Sequence, residues 1–161
     1  EAAVVNLQNY SMNAKAGFVN ILKATSGDYD NVTALLSSQH LPAEDIDKTL
    51  SHFFVAKEEG AVTAVIGLEV YGTAGLLRSM ATDPAHRNKG IASMLVLELI
   101  NYAKQKGIQE VFLLVETAET YFAKKGFIRI RRDEVPIAIK RSSEFSHLCP
   151  SSAIIMKKEI V

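Results

Sequence analysis

The sequence predicts one α/β domain built on a mixed sheet, and three observations support this prediction. The chain has 161 residues, which suits one domain, and 48% of them are apolar, which is enough to bury a core. Seven segments carry strand patterns, and three of them follow one another with only turn signals between them. Two predicted helices follow the central strands, where α/β sheets place their ligand crevices.

The first elements are a strand and two helices. A strand is expected at residues 18–23, and Ser26 is placed as the N-cap of a helix. Apolar side chains of that helix recur at helical spacing at Tyr29, Val32, Leu35 and Leu36. Pro42 is expected to open a second short helix, in which Ile46 and Leu50 lie one turn apart.

Three strands at residues 53–57, 61–71 and 76–82 are expected to form an antiparallel meander. The turn between the first two is placed at residues 58–60, and a four-residue loop is placed at residues 72–75. This loop would pair Tyr71 with Leu76 and set Glu69 opposite Arg78 on one face of the sheet.

The second half alternates between helix and strand. Asp83-Pro84 ends the third meander strand, and a helix is expected at residues 89–106, with Gly107 in the C-cap position. A buried strand, EVFLLV, is placed at residues 110–115. Thr117 or Glu116 is expected to cap a short helix that Gly126 ends. The remaining segments are a strand at 127–131, an irregular or partly helical stretch at 135–148 and a last strand at 152–158.

The charge balance excludes several classes of protein. The 18 basic and 18 acidic residues give no net charge, which argues against a nucleic-acid binder or a polybasic membrane-surface protein. No apolar run approaches the roughly 20 residues needed to span a bilayer, and no secretory signal is recognisable, so a cytoplasmic location is expected. Cys149 is the single cysteine, and no Cys/His cluster has metal-ligand spacing. Residues 1–16 are interpreted as an extension, disordered or not native, ahead of a domain at 17–161.

Residues 80–92, MATDPAHRNKGIA, carry the strongest chemical signal. A strand runs through a proline turn and a basic loop into a helix, whose first turn has unpaired N–H groups and the positive end of the dipole. Gly90 and Ala92 keep side chains away from those amides. Local positive charge comes from His86, Arg87 and Lys89. The segment matches neither a Walker P-loop nor a dinucleotide fingerprint. Anion binding and a solvated turn with a helix cap are the two interpretations.

Two motifs in order identify a family resemblance. Arg87-x-x-Gly90-x-Ala92 resembles the R/Q-x-x-G-x-G/A motif of the GNAT acetyltransferase superfamily, and AETYFAKKGF at residues 118–127 resembles its downstream helix and strand start. The resemblance covers residues 18–160. It implies the GNAT fold, a largely antiparallel sheet of about seven strands with helices on both faces.

The resemblance implies acetyl-CoA as cosubstrate and no metal. The pyrophosphate would lie on the motif residues, namely Arg87, Asn88, Lys89, Gly90, Ile91 and Ala92. The pantetheine arm would follow the preceding strand at Met80, Ala81 and Thr82, and Phe122 and Lys125 are also assigned to the cofactor site. Because the amine of GNAT enzymes attacks the thioester directly, Cys149 is interpreted as a packed residue and not a nucleophile.

The sequence departs from the family pattern at two places. The tyrosine that commonly protonates the leaving thiolate falls at Phe122, and its neighbour Tyr121 points about 100° away on a helix. The asparagine often found after the fifth strand falls near Val115. Both departures recur in a GNAT branch associated with arsenic-resistance operons and related to the acetyltransferase domain of N-acetylglutamate synthase. Residues 111–127 and 135–158 resemble that branch, which implies an amino-acid-like acceptor.

The acceptor site is predicted on the meander strands. Arg78 would hold an acceptor carboxylate in a bidentate fork, and Glu69 would steer the ammonium group or receive its proton. A plain cross-strand ion pair is the alternative for the two residues. Glu116 is the other candidate base, with a solvated loop carboxylate or helix cap as its alternative. The predicted catalytic residues are thus Glu69, Glu116 and Tyr121, and Tyr71 and Thr117 complete the predicted substrate site.

Several functions remain open at this point. The leading prediction is acetyl transfer to the primary amine of a small molecule that carries a carboxylate. The alternatives are a protein or peptide N-acetyltransferase and a non-catalytic CoA-binding module. Neither nucleic acid nor membrane is expected as a partner, and a homodimer is left open. Residues 135–150 either form a flap over the acceptor pocket or only pack, with Phe145, Leu148 and Cys149 under the sheet edge.

Overall fold

The computed structural model describes residues 11–14, 17–148 and 152–160. The strands are β1 Ser11–Ala14, β2 Gly17–Lys23, β3 Phe53–Glu58, β4 Ala61–Tyr71, β5 Ala74–Thr82, β6 Glu110–Val115, β7 Ile128–Ile130 and β8 Ile154–Glu159. The α-helices are α1 Tyr29–Ser38, α2 Ile91–Gln105, α3 Glu119–Lys124 and α4 Ile137–Lys140. The sheet has the strand order β1-β2-β3-β4-β5-β6-β8-β7. The predicted mixed, largely antiparallel α/β fold is confirmed.

The described chain divides into two compact units. The first comprises Glu1–Leu68 and Ser79–Tyr102, and the second comprises Glu69–Arg78 and Ala103–Val161. The chain passes between the units within β4, within β5 and within α2. The predicted division into an extension at 1–16 and a domain at 17–161 stays a prediction. Within the extension the structure places β1, which pairs antiparallel with β2 and which the sequence pattern did not indicate.

In the first unit, consecutive strands β1 to β4 pair antiparallel. Helix α1 packs Val32 and Leu36 against Val55 and Val65 in one core cluster, because these side chains recur with the helical and strand periods. A 3-10 turn at Ser26–Asp28 leads into α1, and its N-cap is Thr25, one residue before the predicted Ser26.

Asp28 anchors the start of α1. Its carboxylate accepts hydrogen bonds from the Thr25 amide at 2.9 Å and from Lys57 Nζ at 2.7 Å. Burial opposes the charged form of Asp28, but these donors outweigh it and hold its pKa below the ordinary value.

The predicted helix after Pro42 is wrong. The segment forms successive turns, with the amide of Ile46 bonded to Ala43 O and that of Leu50 bonded to Asp47 O. The Asp47 carboxylate accepts from the Thr49 amide at 2.9 Å, which offers the backbone a local alternative to a helix. Ile46 and Leu50 are nevertheless buried, so the apolar pattern identified core residues but not their local structure.

In the second unit, β5 pairs parallel with β6, and β8 pairs antiparallel with both β6 and β7. A core cluster joins these strands to the segment after β7 and comprises Ala74, Leu76, Phe112, Val135, Ile139 and Ile155. Tyr71 and Phe145 pack against it. The predicted partly helical stretch is confirmed as α4 and a π-helix at Glu144–Leu148, and its packing role is visible. Cys149 lies outside the described residues, as does the Leu148 side chain.

Two predicted turn details are also wrong. β4 ends at Tyr71 and β5 begins at Ala74, so the loop is Gly72-Thr73 and not four residues long. Helix α3 has Ala118 as its N-cap, without a side-chain cap from Thr117 or Glu116. Gly107 is confirmed at the end of α2, where its φ of 78° suits a residue without a Cβ atom.

Candidate functional site

The motif segment of the first unit forms a basic loop before a helix. β5 ends at Thr82, a 3-10 turn covers Pro84–His86, and α2 begins at Ile91. Asn88 and Gly90 have φ values of 64° and 79°, in the left-handed region. These two residues lead the chain from the extended Arg87 to the N-terminus of α2, where backbone N–H groups can bind an anion.

Helix α2 adds its own amides to this loop. Its first N–H groups have no carbonyl acceptor within the helix, and the dipole places partial positive charge there. The first backbone bond of this turn is donated by Met94 to Gly90 O at 3.2 Å. Arg87 is exposed and Lys89 is partly exposed beside these amides. The loop therefore has both the geometry and the charge to bind a phosphate group.

The start of the loop is tied to the first unit. The Asp83 amide donates to Thr63 O at 2.7 Å, Gln39 Nε2 donates to Thr82 O at 2.6 Å, and Arg87 Nε donates to Thr82 O at 3.3 Å. These bonds fix the point at which the loop leaves the sheet.

His86 lies between two carboxylates at the base of the loop. Its Nδ1 is 2.8 Å from Asp83 Oδ2, and its Nε2 is 3.1 Å from Glu58 Oε2 on β3. Sequence reasoning used His86 only as positive charge. The signal for the Asp83 contact was its spacing of three residues, whereas the Glu58 contact depends on tertiary structure.

The β5 residues assigned to the pantetheine arm follow Ser79, which has an unusual backbone conformation. Its φ of 58° is uncommon for a non-glycine residue within a strand. Ala81 is buried, and Met80 and Thr82 are partly exposed. Sequence reasoning missed Ser79, because serine carries no pattern that indicates a left-handed conformation.

In the second unit, the predicted acceptor residues of the meander lie together. Arg78 Nη1 donates to Glu69 Oε2 at 2.8 Å, and Tyr71 Oη donates to Glu69 Oε1 at 2.7 Å. The predicted Glu69–Arg78 pair therefore forms, although the loop that was used to predict it is wrong. The Arg78 side chain is 1% exposed and that of Glu69 is 27% exposed, so Glu69 is the member that solvent reaches.

Tyr71 is a firm hydrogen-bond donor in this cluster. Burial, followed by the hydrogen bond to Glu69 and that residue's charge, raises the pKa of Tyr71 above its ordinary value. The phenol therefore keeps its proton near neutral pH and holds the Glu69 carboxylate.

Helix α3 carries the predicted site residues Tyr121 and Phe122, and Lys125 is its C-cap. Phe122 is 3% exposed and lies edge-on to Tyr121 and Phe127, with centroids at 5.2 and 5.5 Å. Its ring is thus a core side chain, which does not favour the predicted cofactor contact. Lys125 Nζ lies 5.4 Å from the Tyr121 ring centroid.

Glu116 and Thr117 are exposed in the link between β6 and α3, and they do not form the predicted helix cap. Across residues 11–14, 17–148 and 152–160, no cluster of three His, Cys, Asp or Glu side chains suits a metal ion. The same part of the chain contains no helix with the length and apolarity that a membrane span requires.

Comparison with known proteins defines the class to which this fold and loop belong. The profile of the acetyltransferase (GNAT) family matches residues 20–130, which include the loop and the start of α2. The chain therefore belongs to the GNAT acetyltransferase family, as its motifs predicted.

Several relatives of this chain are named amino-acid acetyltransferases. Amino-acid acetyltransferases from two Neisseria meningitidis strains are 29% identical over 132 residues, which cover 76% of this chain and 30% of each relative. The amino-acid acetyltransferase of Mycobacterium tuberculosis is 28% identical over 108 residues, which cover 65% of this chain and 59% of the relative. The chain thus spans only 30% of the length of the Neisseria relatives.

Solved structures show the same fold. N-acetylglutamate synthase from Neisseria gonorrhoeae, complexed with coenzyme A and N-acetyl-glutamate, matches with a TM-score of 0.77 and 23% identity, covering 90% of this chain and 36% of that chain. A Mycobacterium tuberculosis protein in complex with CoA matches with a TM-score of 0.74 and 24% identity, covering 88% of this chain and 99% of that chain.

Proposed function

We propose that this protein transfers an acetyl group from acetyl-CoA to the primary amine of a small amino-acid-like acceptor. The observation that carries the proposal is the backbone of residues 87–92, where left-handed Asn88 and Gly90 lead into the N-terminus of α2. Membership of the GNAT family supports acetyl-CoA as the donor. The names of the relatives support an amino acid as the acceptor.

The donor half of the proposal concerns the first unit. The diphosphate of CoA lies on the amides of residues 87–92, next to the charges of Arg87 and Lys89. The pantetheine arm runs beside residues 80–82 of β5. Two fold neighbours are complexed with coenzyme A, which supports CoA as the ligand.

The acceptor half of the proposal concerns Glu69 and Arg78. Glu69 is partly exposed, and two donors hold its carboxylate in place before an ammonium group binds. Since the Arg78 side chain is 1% exposed, an acceptor carboxylate reaches it only when the Arg78–Glu69 pair opens or the guanidinium shifts. That exchange replaces one carboxylate partner by another and leaves the buried cation paired.

In the reaction, the acceptor nitrogen attacks the thioester carbonyl carbon, forming a C–N bond as the C–S bond breaks. The ammonium form must first lose a proton, and Glu69 or Glu116 receives it, directly or through water. The nitrogen loses a second proton as the amide forms, and CoA leaves as a thiolate and takes up one proton. Phe122 cannot supply that proton, so water or Tyr121 does.

A turnover assay that follows free thiol tests this function. The acceptor panel pairs amino acids with the amines that lack the carboxylate, and it adds peptides with free N-termini. We expect turnover with amino acids to exceed turnover with the other two groups. A preference for the peptides would replace the small-molecule acceptor by a protein one, and no thiol release with any acceptor would contradict an enzymatic function.

Gly90→Asp tests the donor site. A carboxylate at the loop adds bulk and negative charge where the phosphates lie, so acetyl-CoA binding should be lost, as measured by calorimetry. Gly27→Asp is the matched control, because Gly27 is exposed and its nearest atom to an added Cβ is at 3.6 Å. Unchanged affinity in folded Gly90→Asp would place the cofactor elsewhere.

A further inference from the structure

We infer that His86 is a positioning residue for the CoA diphosphate, because its side chain ties the basic loop to β3 of the first unit. The inference rests on the proposed binding of CoA at residues 87–92. His86 directly precedes those residues, so its side chain sets where the first of their amides points.

The ring of His86 lies between two carboxylates. Its ring nitrogens are 2.8 Å from Asp83 Oδ2 and 3.1 Å from Glu58 Oε2. A neutral imidazole carries one N–H group and can donate to only one of the two carboxylates, whereas the imidazolium carries two N–H groups and forms an ion pair with each.

Burial of Glu58 makes the second contact important. Its side chain is 11% exposed, its buried Oε2 has no hydrogen-bond partner within the described part of the chain, and His86 Nε2 lies 3.1 Å from it, at ion-pair distance. A protonated imidazole is attracted to this carboxylate, which solvent screens little, so the contact opposes any motion that draws His86 away from β3.

The contact of His86 with Glu58 acts where the loop passes from its fixed start into the left-handed residues. The loop start is fixed by the Asp83 amide on Thr63 O and by two donors to Thr82 O. After His86, the chain enters the left-handed residues Asn88 and Gly90. Without the tether, the Arg87–Gly90 stretch gains conformations in which its amides no longer converge, and anion binding then has to order it.

The position of His86 has a second consequence for the anion. When protonated, it is a cation between Asp83 and Glu58 and reduces the net negative charge beside the loop by one. The ammonium of Lys89 and the guanidinium of Arg87 are the other charges of this loop. His86 thus screens a diphosphate from two carboxylates that would repel it.

The test compares donors with and without the diphosphate. S-acetylpantetheine keeps the reacting thioester but lacks the phosphates that the loop would bind. We expect His86→Leu to weaken CoA binding by about tenfold or more, the lower bound for losing charge-assisted hydrogen bonds, as measured by calorimetry. The kcat/KM of His86→Leu for acetyl-CoA should fall by the same factor as the CoA affinity, because KM rises while kcat is unchanged. Its kcat/KM for S-acetylpantetheine should stay unchanged.

Two further variants each keep one of the two His86 contacts. The Asn side chain of His86→Asn places an amide N–H near Nδ1 and keeps the Asp83 contact, and His86→Gln reaches the position of Nε2 and keeps the Glu58 contact. Both should bind CoA with affinity between wild type and His86→Leu. His40→Asn is the matched control, since His40 is exposed and lies after α1.

The outcomes separate the two hypotheses. If wild type fails to bind CoA, the proposed function and this inference both fail. If wild type binds CoA and the three His86 variants bind it equally well, only the inference is overturned. Equal losses with acetyl-CoA and S-acetylpantetheine, or a lower melting temperature with unchanged CoA affinity, would show that His86 is a structural residue only.

Discussion

At the scale of single residues, the Glu69 carboxylate shows how an ionised group is prepared on a sheet. Each of its oxygens accepts one hydrogen bond, from Tyr71 at 2.7 Å and from Arg78 at 2.8 Å. Removing one donor has a different effect from removing the other, because Tyr71 is neutral whereas Arg78 is a buried cation. Loss of Glu69 would leave the Arg78 guanidinium without this carboxylate partner. Substitution of Tyr71 removes a neutral donor, whereas substitution of Arg78 also removes a charge.

Arg78→Met tests the acceptor assignment with an amino acid and its decarboxylated amine as paired acceptors. If Arg78 contacts the acceptor carboxylate, kcat/KM for the amino acid should fall by roughly ten- to 150-fold, the equivalent of about 1.5–3 kcal/mol for a charge-assisted bond. The bare amine should lose less. Steady-state kinetics on both acceptors measure the difference.

Arg78→Lys is the companion variant, since it keeps the charge but not the bidentate fork. It should retain more of the amino-acid activity than Arg78→Met. Equal losses for the two acceptors in Arg78→Met would make Arg78 a structural partner of Glu69 and remove the carboxylate from the acceptor hypothesis.

The sequence predicted this residue pair but not the contacts around it. An arginine on a buried strand requires an anion, and Glu69 was the nearest acid on a neighbouring strand, so the pair followed from physical reasoning even with a wrong loop length. The Glu58–His86 contact joins residues 28 positions apart, and the left-handed Ser79 carries no residue signal. Such features depend on the folded chain and leave no local pattern.

At the scale of elements, the long periodic segments were predictable and the short ones were not. β4 and β6 have the predicted bounds, because the Val- and Ile-rich run of β4 between two glycine turns and the continuous apolar run of β6 suit few other structures. The Pro42 segment has two apolar residues four positions apart, which fit a helix as well as a pair of turns. Local bonds of Asp47 then decide the outcome, and hydrophobic spacing contains no information about them.

Gly67 on β4 gives a prediction at this scale. A Cβ atom there would lie 2.5 Å from Cε2 of the Phe53 ring on the paired strand. Gly67→Ala should therefore lower the free energy of unfolding by about 1–3 kcal/mol, the usual cost of overpacking, as measured by urea denaturation.

Gly27→Ala is the control, because its added Cβ meets its nearest atom at 3.6 Å. Its stability should stay near that of wild type or rise slightly. Combining Gly67→Ala with Phe53→Leu should recover part of the loss. A Gly67→Ala protein as stable as Gly27→Ala would show that the ring yields without cost.

At the scale of the whole molecule, the fold class was predictable because turn signals and strand patterns alternate regularly along most of the chain. The two compact units were not predicted. Their three boundaries fall inside β4, β5 and α2, where the pattern is continuous, between Leu68 and Glu69, between Arg78 and Ser79 and between Tyr102 and Ala103. A composition change marks a linker, but it does not mark a division that passes through strands and a helix.

Binding of acetyl-CoA should raise the melting temperature of the protein. A ligand that binds only the native state at 100 times its Kd adds about 2.7 kcal/mol of stability. For a chain of this length, that corresponds to a rise of roughly 5–10 °C by differential scanning calorimetry. The Gly90→Asp protein should show no rise, and an equal rise in both proteins would contradict a cofactor site at this loop.

The pairing of β6 has a consequence for synthesis of the chain. β6 contains buried Val111, Phe112 and Leu113, and its partner β8 begins at Ile154, after residues 116–153. At roughly 5–20 residues per second, a ribosome needs about 2–8 s to add that interval. During this time β6 can pair with β5, which is already made, but its other edge has no β8. A nascent chain therefore exposes an apolar strand edge for seconds, which is the kind of surface that chaperones bind.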